Sequence, residues 1–117
     1  MIKVKIHRDD AGTVDGLKVS GHAGYAENGE DIICAAVSTL TETAVGYAEC
    51  LLNPDDVKEK RAYTMKNGSL TWQRPDDYEK YAEALKHVFD AMVFGLKQVA
   101  ESAGTDESGK MYLVVSD

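Results

Sequence analysis

The sequence is poor in most of what holds small proteins together from outside a packed core. It has two cysteines in 117 residues and no Cys-x-x-Cys pair, which excludes a disulfide framework, a dithiol redox site and a zinc site of closely spaced ligands. If Cys34 and Cys50 share one helix, the sixteen residues between their positions hold them roughly 24 Å apart, beyond bonding reach. No apolar run approaches the roughly 20 residues of a membrane span. The opening MIKVKIHRDD lacks the apolar core of a signal peptide. The expectation is a cytoplasmic protein with no membrane partner. Positive charge is also scarce: 13 Lys and Arg stand against 20 Asp and Glu, a formal charge of −7. That balance argues against direct nucleic-acid binding, which needs clustered cations to displace phosphate counterions, and suits a basic protein or peptide partner.

What is present is the material of one globular domain spanning residues 1–117. The chain is 44% hydrophobic and 28% charged, without repeats or linkers. A chain of this length buries about 65% of its unfolded surface, so no structural metal is required. Ile2, Val4 and Ile6 alternate with Lys3, Lys5 and His7, the period of a strand with one buried face. After a turn at Asp9 to Gly12, Val14, Leu17 and Val19 predict a second strand with an irregularity near Gly16, stopping at Ser20-Gly21. From Asp31 the spacing becomes helical: Ile33, Val37, Leu40, Ala44, Tyr47 or Ala48, and Leu51 recur until Asn53-Pro54. Val57 to Met65 and Leu70 to Trp72, joined through Asn67-Gly68, predict a second hairpin. Pro75-Asp76-Asp77 signals the start of a second helix with Tyr81, Leu85, Val88, Met92, Leu96 and Val99 as its stripe, ending near Gly104. Met111 to Val115 is a last short strand. The order ββαββαβ, with two amphipathic helices to bury, predicts a two-layer α+β domain in which both helices pack on one mixed, mainly antiparallel five-stranded sheet.

The chemistry concentrates in SGHAGYAENGEDIICAAVSTL. With Asp31 as N-cap, Cys34 falls at the third helical position, where unpaired N–H groups carry roughly half a positive charge. A free cysteine ionises near pH 8.5, and such a position, or a neighbouring imidazolium, favours the thiolate. His22 lies between glycines at a strand end, with a return loop of eleven residues between it and Cys34, and that loop can bring base and nucleophile together. The bland alternative is a capped helix with Cys34 as a small buried residue and His22 as a turn imidazole. Ser38, one turn beyond Cys34, either reaches the thiol region or bonds back to the Cys34 carbonyl. Glu30 or Asp31 is placed to orient the imidazole, although acids before a helix also suit its dipole. His7, on the outer face of an edge-like strand, His87 in mid-helix, and Cys50, far from a helix start, are expected to be solvated or inert. No metal or cofactor is called for.

Over essentially its whole length, and most specifically in GHAGYA and the Asp-Ile-Ile-Cys-Ala-Ala-Val-Ser run, the chain resembles the ribosomal-processing cysteine protease family Prp. The resemblance implies His22 as general acid and base and Cys34 as nucleophile; Asp31 and Ser38 also match the motif. It further implies a homodimer with a movable loop between the two residues. The implied substrate is an N-terminally extended ribosomal protein twenty-seven of the large subunit, cut after a hydrophobic, Phe-rich motif. In the corresponding mechanism, N–H groups at the helix start stabilise the oxyanion, and the segment Gly21 to Gly29 orders over an extended peptide. Two rival readings of the same residues are a non-catalytic ribosome-assembly adaptor that binds a basic ribosomal protein, and a redox sensor built on Cys34.

Overall fold

The computed structural model describes residues 1–24, 31–54, 63–66 and 69–117. Its elements are β1 (Ile2–Arg8), β2 (Val14–Ser20), α1 (Ile32–Leu52), β3 (Tyr63–Lys66), β4 (Ser69–Gln73), α2 (Ala82–Ala103) and β5 (Leu113–Ser116). The five strands lie in the order β3-β4-β2-β1-β5. Every neighbouring pair is antiparallel except β1 and β5, which run parallel. The α+β order and the mixed, mainly antiparallel sheet are as the sequence predicts.

The first hairpin turns on Asp9, whose carboxylate accepts the N–H groups of Ala11 at 2.9 Å and Thr13 at 3.0 Å, while Gly12 takes φ +82°. Opposite His7 and Arg8 the register slips by one residue on β2, between Val14 and Gly16. This is the irregularity expected near Gly16, with Asp15 as the extra residue. β1 proves not to be an edge: β5 returns parallel beside it, and the edges are β3 and β5. The predicted strand Val57 to Met65 is described from Tyr63 onward; its earlier part and the Asn67-Gly68 turn lie outside the described residues, as does the segment 25–30.

One face of the sheet is apolar and covered by both helices. Val4, Leu17, Trp72 and Leu113 meet Val37 and Val45 of α1 and Leu85, Phe89 and Leu96 of α2, all fully or nearly fully buried. Each such side chain contributes about 1.5–3 kcal/mol by leaving water. The Trp72 and Phe89 rings stack at 4.6 Å between centroids. Ala48, not Tyr47, continues the buried stripe of α1; Tyr47 faces outward. Glu49 is fully buried in this core, where its carboxylate accepts from the Trp72 indole N–H at 3.0 Å and the Asn53 amide at 2.8 Å. That pairing joins the end of α1 to β4.

The second helix starts later than Pro75-Asp76-Asp77 suggested. A single 3-10 turn over Glu79–Tyr81 precedes Ala82, and no side chain caps α2. The intervening segment is held by tertiary contacts instead. Arg74 pairs with Asp9 at 3.0 Å and its guanidinium lies over the Tyr78 ring at 3.5 Å, so the chain is fixed to the first hairpin before it can coil. Among the described residues no helix is long and apolar enough to cross a membrane.

Candidate active site at the start of the first helix

Asp31 opens α1 as its N-cap, with extended backbone at φ −77° and ψ 101°. Its carboxylate accepts from the N–H groups of Ile33 and Cys34, both at 3.0 Å, and its carbonyl accepts from Ala35 at 3.1 Å. The cap is 8% exposed, so these bonds are shielded from competing water. Cys34 is thereby set at the third helical position, half-buried against the core. The same bonds alter the expected oxyanion chemistry. The Ile33 and Cys34 N–H groups already serve the Asp31 carboxylate, and the Ala35 N–H serves the ordinary helix ladder.

A different backbone donor approaches the sulfur. At the end of β2 the chain turns through Gly21, at φ +87°, where a side chain would collide with the Met1 carbonyl oxygen. It then runs alongside the start of β1, so that the His22 carbonyl accepts from the Met1 amino group at 2.5 Å. This turn delivers Ala23, which is buried, and the Ala23 N–H donates to Cys34 Sγ at 3.4 Å. The backbone immediately after His22 therefore lies against the Cys34 thiol. His22, the adjacent residue, is exposed. Ser38 is also exposed, one turn on from Cys34, and its carbonyl accepts from the Thr41 hydroxyl at 3.5 Å. Glu30 lies outside the described residues. Ala23 was not anticipated as a contact of the thiol; the one available signal was its place immediately after His22, since a backbone N–H leaves no trace in residue type.

The remaining candidates lie apart. His7 is exposed and pairs with Asp15, His87 stands 3.9 Å from Glu83 on the surface of α2, and Cys50 is exposed near the far end of α1. Among the described residues no three His, Cys, Asp or Glu side chains cluster in a way that would hold a metal ion. A groove of about 360 Å³ runs between the start of α1 and the end of α2, lined by Ile32, Ile33, Ala36, Val99 and Ala103 among others. Ile32 and Ala36 are each two residues from Cys34, about 200° around the helix. The groove and the thiol therefore occupy opposite sides of α1.

The sequence model of the family described as cysteine protease Prp matches residues 1–106. Among solved structures, the chain is similar to the essential ribosomal processing protease Prp from S. aureus in complex with a covalently linked product peptide, at 21% identity and a TM-score of 0.70, covering 99% of this chain and 98% of that one. The same S. aureus protease with a substrate peptide matches at 22% identity and a TM-score of 0.66, covering 99% and 100%. SMU.848 from Streptococcus mutans matches at 26% identity and a TM-score of 0.69, covering 99% and 92%. No curated protein sequence matches the chain.

Proposed function

Because the chain belongs to the cysteine protease Prp family and is therefore a cysteine endopeptidase, we propose that it cleaves through Cys34 as nucleophile and His22 as general acid and base. The observation that carries this reading is the Ala23 N–H to Cys34 Sγ contact at 3.4 Å, which holds the backbone next to His22 against the thiol. The thiolate of Cys34 attacks the scissile carbonyl carbon, forming a C–S bond and an oxyanion. Ala23 N–H, already directed at the sulfur, serves as a donor to that oxygen; the Ile33 and Cys34 N–H groups are held by Asp31. The C–N bond then breaks as protonated His22 gives its proton to the leaving amine. Water, deprotonated by His22, attacks the thioester and releases the acid product as the C–S bond breaks, which restores the Cys34 thiolate and protonated His22.

The substrate in this reading is a ribosomal protein carrying an N-terminal extension, namely protein twenty-seven of the large subunit, cut after a hydrophobic, Phe-rich motif in the cytoplasm. Two features support it: the family, and a net charge of −7 that attracts a basic ribosomal protein. The protease acts as a homodimer. Supporting this is the unusual exposure of large apolar side chains on the helical layer, Ile32 at 66% and Phe94 at 68%, which a second copy would cover.

The test incubates the protein with its organism's extended ribosomal protein twenty-seven beside Cys34→Ala and His22→Ala, and reads product masses. One cut at a hydrophobic site, lost in both variants, is expected. No cut by the wild type, with the complex still forming, would replace the protease by a binding adaptor.

A further inference from the structure

The face of the sheet turned away from the helices is unlike the rest of the molecule. The backbone register aligns two rows across it: Thr71, Lys18, Lys5 and Ser116 in one, and Ser69, Ser20, Lys3 and Val114 in the other. Lys3, Lys5, Lys18, Thr71 and Ser116 are exposed. Neither row contains an acid, although acids outnumber bases 20 to 13 in the whole chain. Lys5 and Lys18 stand directly opposite each other, an arrangement that destabilises a strand pair, with Lys3 two residues along the same strand face. Among the described residues these three ammonium groups have no carboxylate partner, whereas Arg8, Arg74, Lys86 and Lys97 each do. Among the described residues, Asp15 on β2 pairs with His7, and Asp117, next to β5, pairs with Arg8 and Lys97.

We propose that this open sheet face docks on the phosphate backbone of an RNA duplex. Three unpaired lysines within about 7 Å along and 5 Å across the strands complement a row of phosphates. The hydroxyls of Ser20, Ser69, Thr71 and Ser116 in the same rows suit the 2′-hydroxyls of a shallow A-form minor groove. The two rows hold no aromatic ring on which an unpaired base would stack, which favours a duplex over a single strand. The negative total charge argues against nucleic acid as a partner of the molecule at large. Salt screens charge beyond roughly 10 Å at 0.1 M, however, so contact strength there follows the local face.

The test titrates a fluorescein-labelled RNA duplex of about 20 base pairs with the full chain, following anisotropy, beside the variant Lys3→Glu/Lys5→Glu/Lys18→Glu and its milder Gln counterpart. Two to three phosphate contacts predict that affinity falls about 10- to 40-fold between 50 and 200 mM salt, and that the Glu variant binds at least about tenfold more weakly at 50 mM. Retained peptide cleavage by the Gln variant establishes that its fold is intact, since none of the three lysines belongs to the cleavage machinery. Equal binding by wild type and both variants, or no binding at 50 mM, overturns the proposal. Equal affinity for a DNA duplex of the same sequence overturns the assignment to RNA, and stronger displacement by polyglutamate assigns the face to an acidic polypeptide instead. A change from dimer to monomer in the variants, without RNA binding by the wild type, makes the face a subunit contact.

Discussion

Asp31→Ala separates the structural and chemical contributions of the helix start. The substitution removes an acceptor for two backbone donors, Ile33 and Cys34, each at 3.0 Å, at a position 8% exposed. Loss of an N-cap costs about 0.5–2 kcal/mol, and burial of the two stranded N–H groups puts this site at the upper end, about 1.5–2 kcal/mol. With about 2.1 cal/mol/K per residue, 117 residues give an unfolding entropy near 0.25 kcal/mol/K, so Tm falls by about 6–8 °C. Asp31→Asn keeps a capping oxygen and is expected to lose under about 0.5 kcal/mol. The assay is differential scanning calorimetry on all three proteins, with peptide cleavage measured well below each Tm. If Asp31 acts through the cap alone, Asn restores stability and activity together. An unchanged Tm in Asp31→Ala refutes the capping argument, and a stable but inactive Asn variant shows that the carboxylate charge itself acts in the reaction.

Other expectations follow from single contacts. Glu49→Ala strands the buried Trp72 indole N–H and Asn53 amide and should cost about 3 kcal/mol or more in urea unfolding, whereas Gln can accept from only one of them and should lose roughly half as much; equal losses would contradict the geometry. The Asp117 carboxyl is held below its usual range chiefly by its hydrogen bond to Arg8, and that of Asp90 by Lys86 and then Arg8. A depressed folded-state pKa stabilises above the unfolded value of about 3.9 and is lost as pH falls through the folded value. The stability gap between wild type and Arg8→Gln should therefore be full at neutral pH and close in acid; pH-independent separation of the two melting curves would rule this out. Cleavage of a basic substrate should slow, through a rising KM, between 50 and 300 mM salt. A KM indifferent to salt would remove the electrostatic contribution while leaving the thiol chemistry untouched.

Most of the architecture was legible because it rests on local rules. Alternation along Ile2 to Arg8 could belong only to a half-buried strand, and a three- and four-residue apolar spacing after a capping Asp31 could belong only to a helix. The misreadings arise where distant contacts override local signals. Asp76 and Asp77 look like caps, yet Arg74 is fastened to Asp9 and Tyr78, and the helix begins at Ala82. His7 looks like an edge residue, yet β5 pairs with β1 from more than a hundred residues away. Whether Tyr47 or Ala48 turns inward depended on the neighbouring sheet, since both fit a helical stripe.

The candidate site divides the same way. Residue types and short spacings were enough to single out His22 and Cys34 and to place the thiol in the first turn of α1, because capping and helical phase are properties of adjacent residues. Tertiary structure alone determined that the N–H of Ala23 faces the sulfur. It alone gathered Lys3, Lys5 and Lys18 on one open face of an acidic protein. Backbone donors are identical in every residue but proline, and strand register is a long-range agreement between segments, so neither is written in the order of the side chains.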